Sequence, residues 1–149
     1  MSDLAAIPEK FGVSNVYGEL GTSFANTVVT QPRLCAGMIG TLLKGLGEDH
    51  VLWGTDSTWY GSPQWQIEAF RRLEMPEDLR ESRGFAALGE ATGPLKNRIF
   101  WDNGAELYGL KNEDRQGHFD GDAIQEIKSE YLALGGRRSN KTYGYVIAE

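Results

Sequence analysis

Asp56 closes the run His50-Val-Leu-Trp-Gly-Thr-Asp56 and is followed by Ser57-Thr-Trp-Tyr60. If the apolar run is a strand, its carboxyl end puts Asp56 at the mouth of a sheet. A carboxylate there can bind a divalent cation or take a proton from a metal-bound water. An aspartate in the same place can also close a turn or cap a helix. Glu19 ends a second run, Val13-Ser-Asn-Val-Tyr-Gly-Glu-Leu20. Side chains alternate along a strand, so Asn15, Tyr17 and Glu19 share one face of the earlier run, and Leu52, Gly54 and Asp56 share one face of the later one. In parallel register both acids reach the same mouth, where Glu19 is expected as a solvated or hydrogen-bonded carboxylate.

Other chemistry-bearing residues offer less. The chain has two histidines and no His-x-His pair. His50 stands at the start of its strand, the end away from chemistry, and His118 lies in the polar stretch Gln116-Gly-His-Phe-Asp-Gly121, so both are expected as non-ligands. The single cysteine, Cys35, is at helical spacing from Met38, Ile39 and Leu42, which predicts a buried small hydrophobe and no reactive thiol. Trp53, Trp59, Tyr60 and Trp65 cluster in sequence around Asp56, with Trp53 and Trp65 expected to pack between sheet and helix. The tail Arg137-Arg-Ser-Asn-Lys-Thr-Tyr-Gly-Tyr145 reads as a solvated terminus, with an anion or a partner chain as the alternative.

Bringing Asp56 and Glu19 together requires a particular order of elements. Gly21-Thr-Ser ends the earlier run as a loop. From Thr30-Gln-Pro32 a helix is predicted in which Leu34, Cys35, Met38, Ile39, Leu42, Leu43 and Leu46 recur at three- and four-residue steps up to Gly47. After the later run and a loop over Asp56–Gly61, Ser62-Pro63 opens a helix through Trp65, Ala69, Phe70 and Leu73 that stops before Pro76. Strand, helix, strand, helix with a crossover of about thirty residues is the pattern of a βαβ unit whose strands pair in parallel. Pro76-Glu-Asp-Leu79 begins a short helix, and Pro94 opens another carrying Leu95, Ile99, Phe100 and Leu107, weakened by Asn103-Gly104 and ending near Gly109. A last helix is predicted from Asp122, where Gln125 completes a capping box, to Gly135-Gly136.

Composition bounds the partners. A length of 149 residues fits one domain that buries roughly 70% of its unfolded surface. Apolar residues at 40% and charged residues at 24% place the chain among globular proteins. A net charge of −6 argues against nucleic acid or an anionic membrane as partner. No run approaches the roughly 20 apolar residues of a membrane span. The start, Met1-Ser-Asp-Leu-Ala-Ala-Ile-Pro-Glu-Lys10, has neither the basic nor the apolar region of a signal peptide, and with one cysteine this predicts a soluble chain in a reducing, cytoplasmic setting.

Three segments in order, Asn15-Val-Tyr-Gly-Glu-Leu-Gly21, Asp49-His-Val-Leu-Trp-Gly-Thr-Asp56 and Ile99-Phe-Trp-Asp-Asn-Gly-Ala-Glu-Leu-Tyr-Gly-Leu110, resemble the C-terminal portion of metal-dependent amidohydrolases of the amidohydrolase-related type. Those are (β/α)8-barrel enzymes, and the resemblance covers roughly residues 13 to 110. It implies an α/β fold, a partial (β/α)8 TIM barrel comprising the last two βα units plus C-terminal helices. Residues 1–110 would be the barrel part and 111–149 a C-terminal helical extension and tail. The strand ending in Gly-Thr-Asp resembles the eighth barrel strand. The Asn-Ala-x-x-Leu-Tyr-Gly-Leu pattern of the closing helix is departed from here at Asn103-Gly-Ala105. A complete barrel needs about 250 residues, so the chain would supply about a quarter of its strands.

The resemblance also implies roles. Asp56 would be both a metal ligand and the catalytic carboxylate that takes a proton from the attacking water and returns it to the leaving group. Trp59 and Tyr60 would wall a substrate pocket, with plain packing as the even alternative. The family draws its other ligands from a His-x-His pair and from groups after middle strands that this sequence lacks. A divalent metal, zinc first, is therefore expected only in a completed site, and the chain alone is expected to be inactive. The implied function is metal-dependent hydrolysis of carbon–nitrogen or ester-like bonds in a small-molecule substrate. A metal-dependent decarboxylase (a lyase) of the same superfamily and a non-catalytic remnant or barrel-completing subunit are the alternatives. Two parallel strands leave unpaired edges, which predicts another chain or self-association as partner.

Overall fold

A computed structural model of the chain describes residues 1–111, 113 and 123–136. His118, Asp122 and the 137–145 tail lie outside the described residues. The chain divides into two compact units, Met1–Gly109 and Leu110–Glu149. In the second, the helix expected before Gly135-Gly136 is present as Ala123–Ala133, followed by Gly135 at φ 86°, a left-handed conformation that glycine adopts without a steric penalty.

The first unit begins with α1 (Ser2–Ala5) and α2 (Ile7–Phe11), neither predicted from sequence, and then enters β1 (Gly18–Glu19). Next come α3 (Thr22–Thr27), α4 (Pro32–Leu46) and β2 (Val51–Leu52). The strands pair in parallel, Gly18 opposite Val51 and Glu19 opposite Leu52. Gly18 N–H donates to His50 O at 2.8 Å and Leu20 N–H to Leu52 O at 2.9 Å. A one-turn helix α5 (Ser57–Tyr60), then α6 (Pro63–Arg72) and α7 (Glu77–Arg83) follow. The run from Pro94 to Tyr108 is helical throughout, as α8 (Pro94–Asn97), a π-helical turn (Arg98–Asp102) and α9 (Asn103–Tyr108).

The expected partial (β/α)8 barrel is not the fold. The described residues are mostly helical, and their one small sheet has two parallel strands of two residues each. A barrel stave is held by ladders on both of its edges. Here each strand has one partner, so extended structure ends where the two short runs stop pairing. The strand-like sequences Val13–Leu20 and His50–Thr55 shrink accordingly to two-residue strands. The apolar surface that staves would have buried is taken up between helices instead.

α4 shows how. Its Cys35, Ala36, Ile39 and Leu42 are buried at three- and four-residue steps, whereas Leu34 is exposed and falls off the apolar stripe. Burying Ile39 and Leu42 contributes roughly 1.5–3 kcal/mol each. They meet Phe24 of α3 and Val28 just after it, Leu20 and Val51 of the sheet region, and Phe70 of α6 with Leu73 just past its end in one cluster. Gly45 lets α1 approach directly, since a Cβ there would stand 2.3 Å from Ala5 O. An aromatic group seals the other side: Trp53 lies 4.5 Å from Phe100 and 5.7 Å from Phe70 by ring centroids, with Phe24 edge-on to both Trp53 and Phe70. Trp53 thus packs as expected, but Trp65 is 44% exposed and does not.

Two buried polar side chains tie the helices to the sheet and to each other. Asn103 donates through Nδ2 to Glu48 O at 2.7 Å and Val51 O at 2.8 Å, anchoring the entry of β2. Lys96, 1% exposed, donates through Nζ to Arg71 O at 2.7 Å and Leu73 O at 2.9 Å, closing the C-terminal end of α6. Among the described residues no helix is long and apolar enough to cross a membrane.

Candidate functional site

The parallel ladder delivers two loops to one end of the sheet. After β1 the chain passes Leu20 and Gly21 into α3, and after β2 it passes Trp53, Gly54 and Thr55 into α5. The two approach closely at Gly54, where a Cβ would stand 2.2 Å from Leu20 O and 2.6 Å from Glu19 Oε1. A Cβ on Gly21 would in turn stand 3.4 Å from both carboxylate oxygens of Asp56. Each acid therefore lies over a glycine of the opposite loop, and the sequence expectation that Glu19 and Asp56 share one mouth is met.

The route to that arrangement differs from simple alternation. Asp56 lies four residues past the end of β2 and has φ 47° and ψ 34°, the left-handed region. Among the described residues it is the one non-glycine with positive φ. This conformation costs a non-glycine residue roughly 1–2 kcal/mol, least for Asn and Asp. It turns the chain so that Asp56 O accepts from Trp59 N at 2.9 Å and Tyr60 N at 3.1 Å while the carboxylate leaves the helix axis. Asp56 stands at the N-cap position, but its side chain makes no capping bond. Instead Oδ2 accepts a 2.5 Å hydrogen bond from Thr22 Oγ1. An exposed carboxylate with one oxygen oriented by a hydroxyl keeps its other oxygen for a ligand or a proton.

The neighbours of Asp56 are held on both sides. Thr55 Oγ1 accepts from Ser57 N at 3.2 Å, and Thr55 O accepts from Gln66 Nε2 at 2.9 Å. Gln66 is 3% exposed, and its Oε1 has no hydrogen-bond partner among the described residues. Trp59 is 84% exposed, and Tyr60 is half-buried with its hydroxyl accepting a long 3.4 Å contact from Asn26 Nδ2. Both aromatics stand on α5 next to Asp56, open on the side of Trp59.

Three of these residues were not singled out in the sequence. Thr22 had a findable signal, a hydroxyl directly after Gly21 in the loop that follows β1. Gln66 had another, an amide one helical turn before Phe70 on the face α6 buries. Asn26 had none, because the sequence predicts no helix between Gly21-Thr-Ser and Thr30-Gln-Pro32.

His50 lies at the opposite end of β2, as its position in the strand predicts. It pairs through Nδ1 with Asp49 Oδ1 at 2.9 Å and stacks on Tyr17 at 4.6 Å between ring centroids. The hydrogen bond from His50 holds the Asp49 carboxyl below the usual aspartate range. Cys35 is fully buried, and burial pushes its thiol up to about 11, against a smaller opposing hydrogen bond from Thr27.

Among the described residues, no three His, Cys, Asp or Glu side chains come together as a metal-binding group. Surface grooves of about 400 and 490 Å³ run along α4, one beside Arg33, Leu34 and Thr41 and the other beside Val29, Pro32 and Arg72. Neither is lined by Asp56, Trp59 or Tyr60. No protein-family model, curated protein or solved structure matches the chain.

Proposed function

We propose that this chain contributes Asp56, oriented by Thr22, as the proton-handling carboxylate of a hydrolytic site for carbon–nitrogen or ester-like bonds in a small-molecule substrate. The observation that carries the reading is the 2.5 Å bond from Thr22 Oγ1 to Asp56 Oδ2 at the shared carboxyl end of two parallel strands. Ligand-bearing and catalytic groups of parallel αβ units gather at that end. Thr22 fixes the carboxylate plane and occupies one oxygen, and the free Oδ1 takes the proton of an attacking water and returns it to the leaving group. Trp59 and Tyr60 supply apolar surface beside the carboxylate for the substrate. The resemblance of the Gly54-Thr-Asp56 segment to metal-dependent amidohydrolases supports the same assignment.

The divalent cation of such a site, zinc first, would take Asp56 as one ligand in a completed site, with further ligands from a second chain. The unpaired outer edges of β1 and β2 are the surfaces on which that chain, or a second copy, would add its own structure. A cytoplasmic setting agrees with a single cysteine that is buried and protonated. The test is to assay the chain with zinc alone and in its assembled complex against amide and ester substrates, with Asp56→Asn beside the unchanged protein. Activity in the complex, lost in Asp56→Asn, is expected. A complex whose activity survives Asp56→Asn overturns the assignment, and release of CO2 in place of an acid or amine redirects it to decarboxylation.

A further inference from the structure

Gln66 sits on α6, ten residues beyond Asp56 in the chain, and is nearly inaccessible at 3% exposure. An amide in that position is expensive to bury, because each half must find a partner. Only one half does so: Nε2 donates to Thr55 O at 2.9 Å, while Oε1 is buried with no partner among the described residues. A leucine or methionine would fill the same space without an orphaned oxygen. The amide is therefore explained by the one bond it makes, and that bond is to the carbonyl of the peptide unit entering Asp56.

That peptide unit sets the orientation of the Asp56 N–Cα bond. Asp56 is left-handed at φ 47°, a conformation a non-glycine residue keeps only when its surroundings over-determine it. On its carboxyl side it is held by Trp59 N, Tyr60 N and the Ser57 N to Thr55 Oγ1 bond. On its amino side the side-chain restraint is Gln66. Released from it, the Thr55–Asp56 peptide can rotate, Asp56 can relax to negative φ, and the carboxylate swings away from Thr22 Oγ1.

We infer that Gln66 is a positioning residue: through the Thr55 carbonyl it locks Asp56 in the left-handed turn that presents its carboxylate to Thr22 and to the site. The inference rests on the reading of Asp56 as the working carboxylate, but its test reads backbone geometry and not activity. The full chain is labelled with 13C and 15N, and the Asp56 backbone carbon shifts and HN–Hα coupling are compared in the unchanged protein, Gln66→Met and Gln66→Glu. The unchanged protein is expected to show the left-handed signature, and Gln66→Met to lose it at Asp56 while the Phe24–Trp53 aromatic signals stay in place. A left-handed Asp56 in folded Gln66→Met overturns the inference.

Gln66→Glu keeps the test decisive if Gln66→Met does not fold. Burial raises the pKa of the introduced carboxyl, and its protonated form regains a donor for Thr55 O. The left-handed signature should therefore return at acid pH and vanish as the pH rises, which a packing role would not produce. A signature independent of pH in Gln66→Glu also overturns the inference. If Gln66 behaves as expected but Asp56→Asn leaves the complex active, the proposed chemistry fails and the positioning role stands.

Discussion

Thr22 Oγ1 donates to Asp56 Oδ2 at 2.5 Å across 34 residues of sequence, joining the loop after β1 to the loop after β2. Parallel pairing brings the two loops to one end of the sheet, and the left-handed turn at Asp56 directs its carboxylate to the hydroxyl. In the proposed hydrolytic complex, Asp56→Asn is expected to lower kcat/KM by about 10²–10⁴, the range of general acid–base catalysis. Thr22→Val, which leaves the carboxylate but frees its orientation, is expected to lower it by about 10–100-fold. Steady-state kinetics decide the matter, and a silent Thr22→Val would show that the hydroxyl has no part in the chemistry.

Gly54 and Gly104 should respond to alanine with opposite signs. A Cβ at Gly54 would meet Leu20 O at 2.2 Å, a backbone atom that cannot move without breaking the ladder. Gly54→Ala is expected to destabilise by about 3 kcal/mol. Gly104, in α9, has nothing within 4 Å of its Cβ position, so Gly104→Ala is expected to stabilise by about 0.5–1 kcal/mol through helix propensity. Urea denaturation of the two variants measures both.

Lys96 is a buried cation whose ammonium closes the end of α6 through Arg71 O and Leu73 O. Burial pushes its pKa down, with Glu74 opposing. Lys96→Met keeps the stem packed and strips two carbonyls of their donor, which is expected to cost about 2 kcal/mol. A neutral or stabilising result in thermal unfolding would mean that relief from burying a charge outweighs the two bonds.

Cys35 links stability to alkaline pH. Its thiol is raised from 9.0 to about 11 by burial, so between these values the folded protein keeps a proton that the unfolded chain releases. The resulting stability is fully present below pH 9 and is lost as the pH rises through about 11, a loss on the order of 2 kcal/mol. Urea midpoints taken at pH 8 and pH 10.5 should fall further for the unchanged protein than for Cys35→Ala. A thiol reagent at pH 8 should label Cys35 in urea and leave it untouched in the folded protein.

Helices were the legible part of the fold. Proline at the first position and apolar steps of three and four identify α4, α6 and the run from Pro94 to Gly109, closed by a glycine in the first and last and by the approach of Pro76 in α6, because each signal acts within a few residues. The strands were legible as a parallel pair but not in extent: Val13–Leu20 and His50–Thr55 have strand composition, yet strand persists only where a neighbour bonds it. Short motifs that resemble barrel segments carry no information about whether further staves stand on either side, and the helical core took their place.

The sequence by itself determined that Asp56 and Glu19 come to the same end of two parallel runs, since strand direction and parallel order fix which ends coincide. Tertiary structure alone decided the orientation of Asp56. Thr22 and Gln66 reach it from α3 and α6, and its left-handed turn is held by hydrogen bonds from other elements. Those restraints depend on distances between residues far apart in the chain, set by how helices pack on a two-stranded sheet. Periodicity and residue type report only on near neighbours.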